Sequence, residues 1–221
     1  MGEPTVAAVM TRQVITAVYD TPFKELAGAM LAHGIDALPV IDSSGTPIGV
    51  VSEADILTKL EFHGGADPPP LLAGPHCRAR WRKSTALRAA DLMTTPAITT
   101  TPGVTVSAAL HLMASSRIRQ ICVVTCVGHL IGILARRDAL HLYVRSDSTI
   151  ETDIEHEIAT RTRAANQVTV HVTDGIVTLE GRLSFHSTVQ RISEAAHHVP
   201  GVIAVHNNLH YDVDDLMITG L

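Results

Sequence analysis

Apolar residues recur along this chain at two spacings, one typical of amphipathic helices and the other of half-buried strands. A stripe at i, i+3, i+4 and i+7 predicts a helix that begins with Thr21-Pro22 as N-cap and first residue and ends at Gly34; its members are Phe23, Leu26, Ala27 and Met30. Residues 37–41 and 47–51 predict the two strands of a hairpin, and the β-rich residues 13–17 predict a strand before the helix.

The same pattern occurs twice. Residues 10–57 align without a gap to residues 93–140, at a constant offset of 83 (93 − 10 = 83). Each copy predicts the order β-α-β-β-α. The second copy contains the helical stripe Val106, Ala109, Leu110 and Met113, strands at 120–125 and 130–134, and a helix at 136–143. A duplication of this length indicates one small α/β unit used twice and packed as a pseudo-symmetric pair.

A third unit follows with a different order, α-β-β-α-β. Ile150, Ile154 and Ile158 form a helical stripe, and Val168, Val170 and Val172 alternate as in a strand. Asp174-Gly175 predicts a tight hairpin turn before a strand at 176–183. A helix at 184–198 and a strand at 203–211 complete this unit. The whole chain is therefore expected to be an α/β (α+β) protein.

The segment between the two copies has the composition of a linker. It contains Gly64-Gly65, Pro68-Pro69-Pro70 and the basic run 78–83, which includes Trp81, and we expect a solvated segment there. The domain boundaries predicted from these patterns are 1–61 for the first copy, 62–85 for the linker, 86–145 for the second copy, 147–212 for the third unit and 213–221 for a C-terminal tail.

Composition and short motifs argue against several classes of function. The net charge of −5 and the pI near 6.2 argue against nucleic-acid binding. No apolar stretch reaches the roughly 18 residues that a membrane helix needs, and no signal peptide is visible, so a cytoplasmic protein is expected. Cys77, Cys122 and Cys126 have no spacing typical of disulfides or metal sites, and the 13 histidines are scattered. No motif suggests catalysis, so neither an enzyme nor a metal site is predicted.

The repeated unit resembles the CBS domain, named after cystathionine β-synthase, of which two copies pack as a Bateman module. The resemblance rests on these segments: Val9-Met10-Thr11, Leu38-Pro39-Val40 and Gly49-Val50-Val51-Ser52-Glu53-Ala54-Asp55 in the first copy, and Leu92-Met93-Thr94 and Gly132-Ile133-Leu134-Ala135-Arg136-Arg137-Asp138 in the second. It implies adenine nucleosides or nucleotides as ligands in clefts between the copies, and homodimers built as a flat disc of four CBS units.

The third unit resembles the BON domain. The segments that carry this resemblance are 172–181, with Asp174-Gly175 at its turn, and 199–207, which begins Val199-Pro200-Gly201. It implies a protein or phospholipid-surface partner. Because this unit has few basic residues, a protein partner is at least as well supported as a membrane. The combined architecture resembles that of bacterial CBS–BON proteins.

Asp55 and its repeat equivalent Asp138 are the centre of the predicted ligand sites. An aspartate one turn into a helix can accept both hydroxyls of a ribose, and Ser52 adds a hydroxyl at a helix N-terminus, where phosphate is favoured. The alternative is that each aspartate only stabilises the start of its helix, by about 0.3–1 kcal/mol. The full set of predicted ligand-binding residues is Ile15, Thr16, Ala37, Leu38, Pro39, Ser52, Asp55, Ile98, Thr99, Ile121, Cys122, Arg136, Arg137 and Asp138.

The two sites are not expected to be equal. Ser52 is replaced by Ala135 and Pro39 by Cys122 in the second copy, where Arg136 and Arg137 could supply charge for a phosphate. The leading hypothesis is a non-catalytic sensor that needs no cofactor, binds AMP, ADP, ATP or S-adenosylmethionine, and relays binding to the BON unit. Its rivals are a dimeric adaptor with no small ligand, and attachment to anionic membranes through 78–83 and the BON unit.

Overall fold

The computed structural model describes residues 3–70, 72–162 and 164–216. The chain forms two compact units, one of Val6–Ala135 and the other of Arg136–Leu221 with Met1–Thr5. In chain order, the helices of the first unit are α1 Val6–Val9, α2 Phe23–His33, α3 Glu53–Glu61, α4 Pro75–Ser84, α5 Ala89–Leu92 and α6 Val106–Ser115. Its strands are β1 Ala17–Val18, β2 Ala37–Ile41, β3 Pro47–Ser52, β4 Thr99–Thr100, β5 Gln120–Val124 and β6 Leu130–Ala135.

Each repeat builds a three-stranded sheet of the same design. The orders are β1-β2-β3 and β4-β5-β6, with the first pair of strands parallel and the second antiparallel. The predicted apolar stripes of α2 and α6 are buried at Leu26, Met30, Ala109 and Met113. Gly34 ends α2 in the left-handed conformation, as predicted. The helix begins one residue later than expected, because the Thr21 hydroxyl accepts a hydrogen bond from the Val18 N–H instead of capping it.

The first strand of each repeat is much shorter than the sequence predicts. β1 begins at Ala17 rather than at residue 13, whereas β4 begins one residue earlier in repeat register, at Thr99. The difference follows from Pro39. Its counterpart Cys122 donates its N–H to the carbonyl of Ile98 (3.3 Å), and proline has no N–H to give to Ile15.

The two repeats exchange their leading segments, defined as residues 6–11 and 89–94. Ala89 and Leu92 pack in the core of the first repeat, with Leu26, Val40 and Val51. The reciprocal core, that of the second repeat, consists of Val6, Met10, Ala109, Met113, Ile121, Val123 and Leu134. Each leading segment also pairs with the last strand of the other repeat, through the bridges Thr94↔Val50 and Thr11↔Ile133. The pseudo-symmetric pair is therefore interlocked and not merely packed side by side.

Two equivalent glycines make this exchange possible. A Cβ on Gly49 would lie 2.6 Å from the Met93 sulfur and 3.0 Å from the Thr94 carbonyl oxygen. A Cβ on Gly132 would lie 2.7 Å from the Met10 sulfur and 3.1 Å from the carbonyl oxygen of Thr11. Glycine is thus required at both positions because the leading segment of the other repeat lies so close.

The linker is more ordered than its composition suggests. Instead of a solvated stretch, residues Pro75–Ser84 form α4, which packs against α3 and starts with proline in its first turn. The contacts are polar: Lys59 donates to the Ser84 carbonyl (3.0 Å), and Arg80 pairs with Glu61. A helix held in this way has no apolar stripe, which is why hydrophobic periodicity did not predict it.

The second unit contains α7 Arg136–Leu140, α8 Asp147–Arg161, β7 Val168–Thr173, β8 Ile176–Phe185, α9 His186–His197 and β9 Ala204–Val213. The predicted helix 136–143 becomes α7 followed by a 3-10 turn at His141–Tyr143. From α8 onward the order α-β-β-α-β is the predicted one. The sheet order is β7-β8-β9, with β8 and β9 parallel.

The core of the second unit lies between its two long helices and its sheet. Ile150, Ile154 and Ile158 of α8 pack with Leu179 and Ile192. The first described residues of the predicted C-terminal tail, 213–216, are in contact with the unit. Val213 belongs to β9, and Asp215 returns to the first turn of α9, where it accepts hydrogen bonds from the N–H and hydroxyl of Ser187. Residues 217–221 of that tail lie outside the described residues.

Candidate functional site

Asp55 stands at the start of α3, directly after the buried strand β3. Ser52 is the N-cap of this helix, as predicted. One carboxylate oxygen of Asp55, Oδ2, accepts both the Ser52 N–H (2.8 Å) and the Ser52 hydroxyl (2.6 Å). These two bonds fix the carboxylate at a helix N-terminus, with its side chain 13% exposed. The local sequence thus positions an anchored carboxylate that is largely shielded from solvent.

The other oxygen of Asp55 has a partner from the linker. Lys83 Nζ lies 2.6 Å from Asp55 Oδ1 and 2.9 Å from the Thr94 hydroxyl oxygen. The Lys83 side chain is 19% exposed, so the ion pair is largely shielded from solvent. The sequence shows Lys83 within the basic run 78–83, but the predicted site residues do not include it. Charge complementarity between that run and the acidic positions of α3 could have indicated this contact.

The predicted wall of the first site lies in and beside β1 and β2. Ile15 and Thr16 are half-buried, and Ala37 and Pro39 are buried. Leu38 belongs to the hydrophobic core, so its side chain cannot line a ligand site and only its backbone could do so. Ala37 is the register partner of Ser52, which brings the start of β2 next to the start of α3.

The corresponding wall of the second site differs in chemistry. Thr99 is exposed and Ile98 half-buried, whereas Ile121 is a core residue. Cys122 is buried and pairs in register with Thr99; burial raises the pKa of its thiol to about 12. A thiol held neutral in this way is a small apolar side chain, neither a nucleophile nor a metal ligand.

The remaining predicted residues of the second site lie in α7 of the second compact unit. Arg136 and Arg137 are exposed, and Asp138 is half-buried. Ala135, the last residue of β6, is buried and offers no hydroxyl in the place of Ser52. Ala135 therefore cannot give Asp138 the hydroxyl hydrogen bond that Ser52 gives Asp55.

The cysteines and histidines do not converge. Cys122 is buried while Cys126 is exposed, and all three cysteines are free. Within residues 3–70, 72–162 and 164–216, no group of three or more His, Cys, Asp or Glu side chains is arranged to hold a metal ion. Over the same ranges, no helix is long and apolar enough to cross a membrane.

A shallow cleft of about 380 Å³ occurs on the second unit, near the turn Asp174-Gly175. Its polar groups are already engaged. The carboxylate of Asp147 accepts the N–H groups of Asp174 and Gly175, both at 2.9 Å, and Arg145 binds Asp153 and the Pro200 carbonyl. These contacts hold the unit together and leave little chemistry for a ligand.

Comparison with known proteins identifies both parts of the chain. The CBS domain family matches residues 6–61 and 89–145, and the BON domain family matches residues 146–212. The chain belongs to the CBS family and carries a C-terminal BON domain. Asp55 therefore lies in the first turn of the last helix of the first CBS domain, and α4 lies between the two CBS domains.

Two uncharacterized proteins are similar to about two thirds of this chain. An uncharacterized protein of Methanopyrus kandleri is 28% identical over 155 residues, which make up 70% of this chain and 70% of that protein. Another, from Methanocaldococcus jannaschii, is 25% identical over 158 residues, covering 65% of this chain and 94% of that protein.

Solved structures agree on the fold. The CBS-pair protein CBSX2 from Arabidopsis thaliana, crystallised in complex with AMP, matches with a TM-score of 0.54 at 24% identity, over 62% of this chain and 95% of that chain. A CBS domain pair in complex with 5′-methylthioadenosine and S-adenosyl-L-methionine matches with a TM-score of 0.51 at 21% identity. This match covers 63% of this chain and 98% of that chain. At these identities the likeness establishes the CBS-pair fold.

Proposed function

We propose that this protein is a non-catalytic regulatory sensor that binds an adenosyl ligand, of the AMP, ADP, ATP or S-adenosylmethionine type, between its paired CBS domains. The observation that carries the proposal is the anchored carboxylate of Asp55 at the N-terminus of α3. The proteins of like fold that were crystallised with AMP, or with 5′-methylthioadenosine and S-adenosyl-L-methionine, support the ligand class.

The chemistry of the first site suits such a ligand. A carboxylate can accept both hydroxyls of a ribose, and the positive end of the α3 helix dipole favours a phosphate. Ile15 supports recognition of the base, since Pro39 supplies no N–H to its carbonyl and an adenine amino group could donate there. Without the serine anchor, the second site is the weaker candidate.

Calorimetric titration with AMP, ATP and S-adenosylmethionine tests this function. Asp55→Asn keeps one acceptor oxygen but removes the charge, and we expect it to weaken binding by roughly tenfold or more, as for loss of a charged hydrogen bond. Glu53→Gln is the matched control, because Glu53 is an exposed acid in the same helix. A wild type that binds none of the three ligands would contradict the proposal. So would unchanged binding in the double variant Asp55→Asn, Asp138→Asn.

The relay and the assembly are further parts of the proposal. Binding can bias the BON domain toward a protein or phospholipid partner only if the ligand prefers one arrangement of the CBS pair. Leu57 and Leu60, which are exposed on α3, support a homodimer through the CBS domains. Sedimentation of Leu60→Glu tests this: a dimeric wild type and a monomeric variant are expected, and a monomeric wild type would contradict it.

A further inference from the structure

The linker helix α4 contributes a residue to the first CBS site. Lys83 is the penultimate residue of α4, and its ammonium group contacts Asp55 and Thr94 at the same time. α4 is itself held on α3 by the bond from Lys59 to the Ser84 carbonyl and by the Arg80–Glu61 pair. Lys83 is therefore positioned by a fixed helix, unlike a freely rotating surface lysine.

This contact obstructs the function proposed for Asp55. Both oxygens of its carboxylate are engaged, Oδ2 by Ser52 and Oδ1 by Lys83. A ribose that is to be bound by two hydroxyls must displace the ammonium group from Oδ1. A ligand that does so leaves Lys83 charged and only 19% exposed, which is costly unless the ligand supplies a negative group in exchange.

We propose that Lys83 is a specificity-determining residue of this site, which closes Asp55 in the absence of ligand and favours anionic adenosyl ligands over neutral or cationic ones. This inference rests on the proposed function. A phosphate within reach of the four-carbon side chain would take the place of Asp55 as the partner of the ammonium group. A neutral nucleoside offers no such exchange, and a sulfonium adds a second positive charge.

The test is the ratio of dissociation constants for adenosine and AMP, measured by calorimetry on the full chain, with S-adenosylmethionine as the cationic probe. Lys83→Met keeps the length of the side chain but removes its charge. We expect it to tighten adenosine binding and to lower the adenosine-to-AMP ratio roughly tenfold, as for loss of one charged hydrogen bond. Lys83→Arg should keep the preference for AMP.

Arg82→Met is the matched control, because Arg82 is exposed on the same helix, and the ratio should not change. Thermal unfolding of each variant verifies that it is folded. Binding of adenosine by Lys83→Met but not by the wild type would support closure of the site.

A wild type that binds AMP with an adenosine-to-AMP ratio unaffected by Lys83→Met would overturn this inference and leave the proposed function standing. If neither protein binds any of the three probes, the proposed function fails and the inference fails with it. A change in Arg82→Met as large as that in Lys83→Met would also overturn the inference, because the effect would then come from the general charge of α4.

Discussion

Asp55 makes structural contacts through both oxygens of the carboxylate that we propose as the ribose acceptor. Its contacts with Ser52 secure the first turn of α3, and its contact with Lys83 ties the linker to the first CBS domain. The alternative role, stabilisation of the helix, is thus compatible with the proposed ligand site. The proposal requires in addition that the ligand displace the Lys83 ammonium group from the second oxygen.

At the same scale, Gly49 and Gly132 are expected to resist enlargement. Gly49→Ala would place a methyl group against Met93 and the Thr94 carbonyl, and it should lower the free energy of unfolding by about 1–3 kcal/mol. Gly132→Ala should do the same against Met10. Gly28→Ala is the control: nothing lies within 4 Å of its added Cβ, and the helix should gain about 0.5–1 kcal/mol. Urea unfolding measures all three, and equal stability of Gly49→Ala and wild type would refute the close approach.

Asp215 provides a prediction about pH. The Ser187 hydroxyl and then the Ser187 N–H hold the pKa of Asp215 below its ordinary value of 3.8 in the folded protein. The stabilisation is therefore complete above pH 3.8 and is lost as the pH falls through the lower, folded-state pKa. Ser187→Ala should raise the pKa of Asp215 toward 3.8, as followed by NMR titration of its carboxyl carbon.

Asp42 is the internal control for that titration. The Ser44 hydroxyl and neighbouring N–H groups lower its pKa in the same way, in a turn of the first CBS domain. Its value should not move in Ser187→Ala. An Asp215 titration that is the same in wild type and variant would refute the assigned cause.

At the scale of elements, the exchanged leading segments make each CBS core depend on both repeats. Leu92→Ala removes a fully buried side chain of the second repeat from the core of the first, and it should cost about 2–5 kcal/mol of unfolding free energy. Leu87→Ala, at a site 70% exposed, should change stability by no more than about 0.5 kcal/mol. Thermal and urea unfolding compare the two, and similar losses in both variants would contradict the exchange.

The elements were predictable to different degrees. Periodicity located α2, α6, α8 and the three hairpins, because the spacing of their buried residues depends only on local backbone geometry. The exchange was not predictable, since an apolar face at 6–9 or 89–92 does not say which sheet it covers. The position of Lys83 was not predictable for a related reason, because hydrophobic spacing gives no information about a helix that is held by polar contacts.

At the scale of the whole molecule, most of the CBS pair forms the compact unit Val6–Ala135, whereas the BON domain lies in the other unit together with α7. A ligand that binds only the folded CBS pair stabilises it by about 2.7 kcal/mol at a hundredfold excess over its dissociation constant. We expect AMP to slow hydrogen exchange in β2, β3 and α3. Exchange in β9 of the BON domain should change as well if binding is relayed, and Asp55→Asn should abolish both effects. An unchanged β9 alongside a protected CBS pair would contradict the relay.

The interlocked leading segments also bear on the origin of the CBS pair. If a solitary repeat kept this packing, its leading segment would fill the core of a second copy, and two chains would exchange these segments. Tandem duplication places both segments in one chain, where their effective concentration does not depend on expression level. Divergence between the repeats then becomes possible at the ligand sites, while the glycine–methionine contacts must be retained in both.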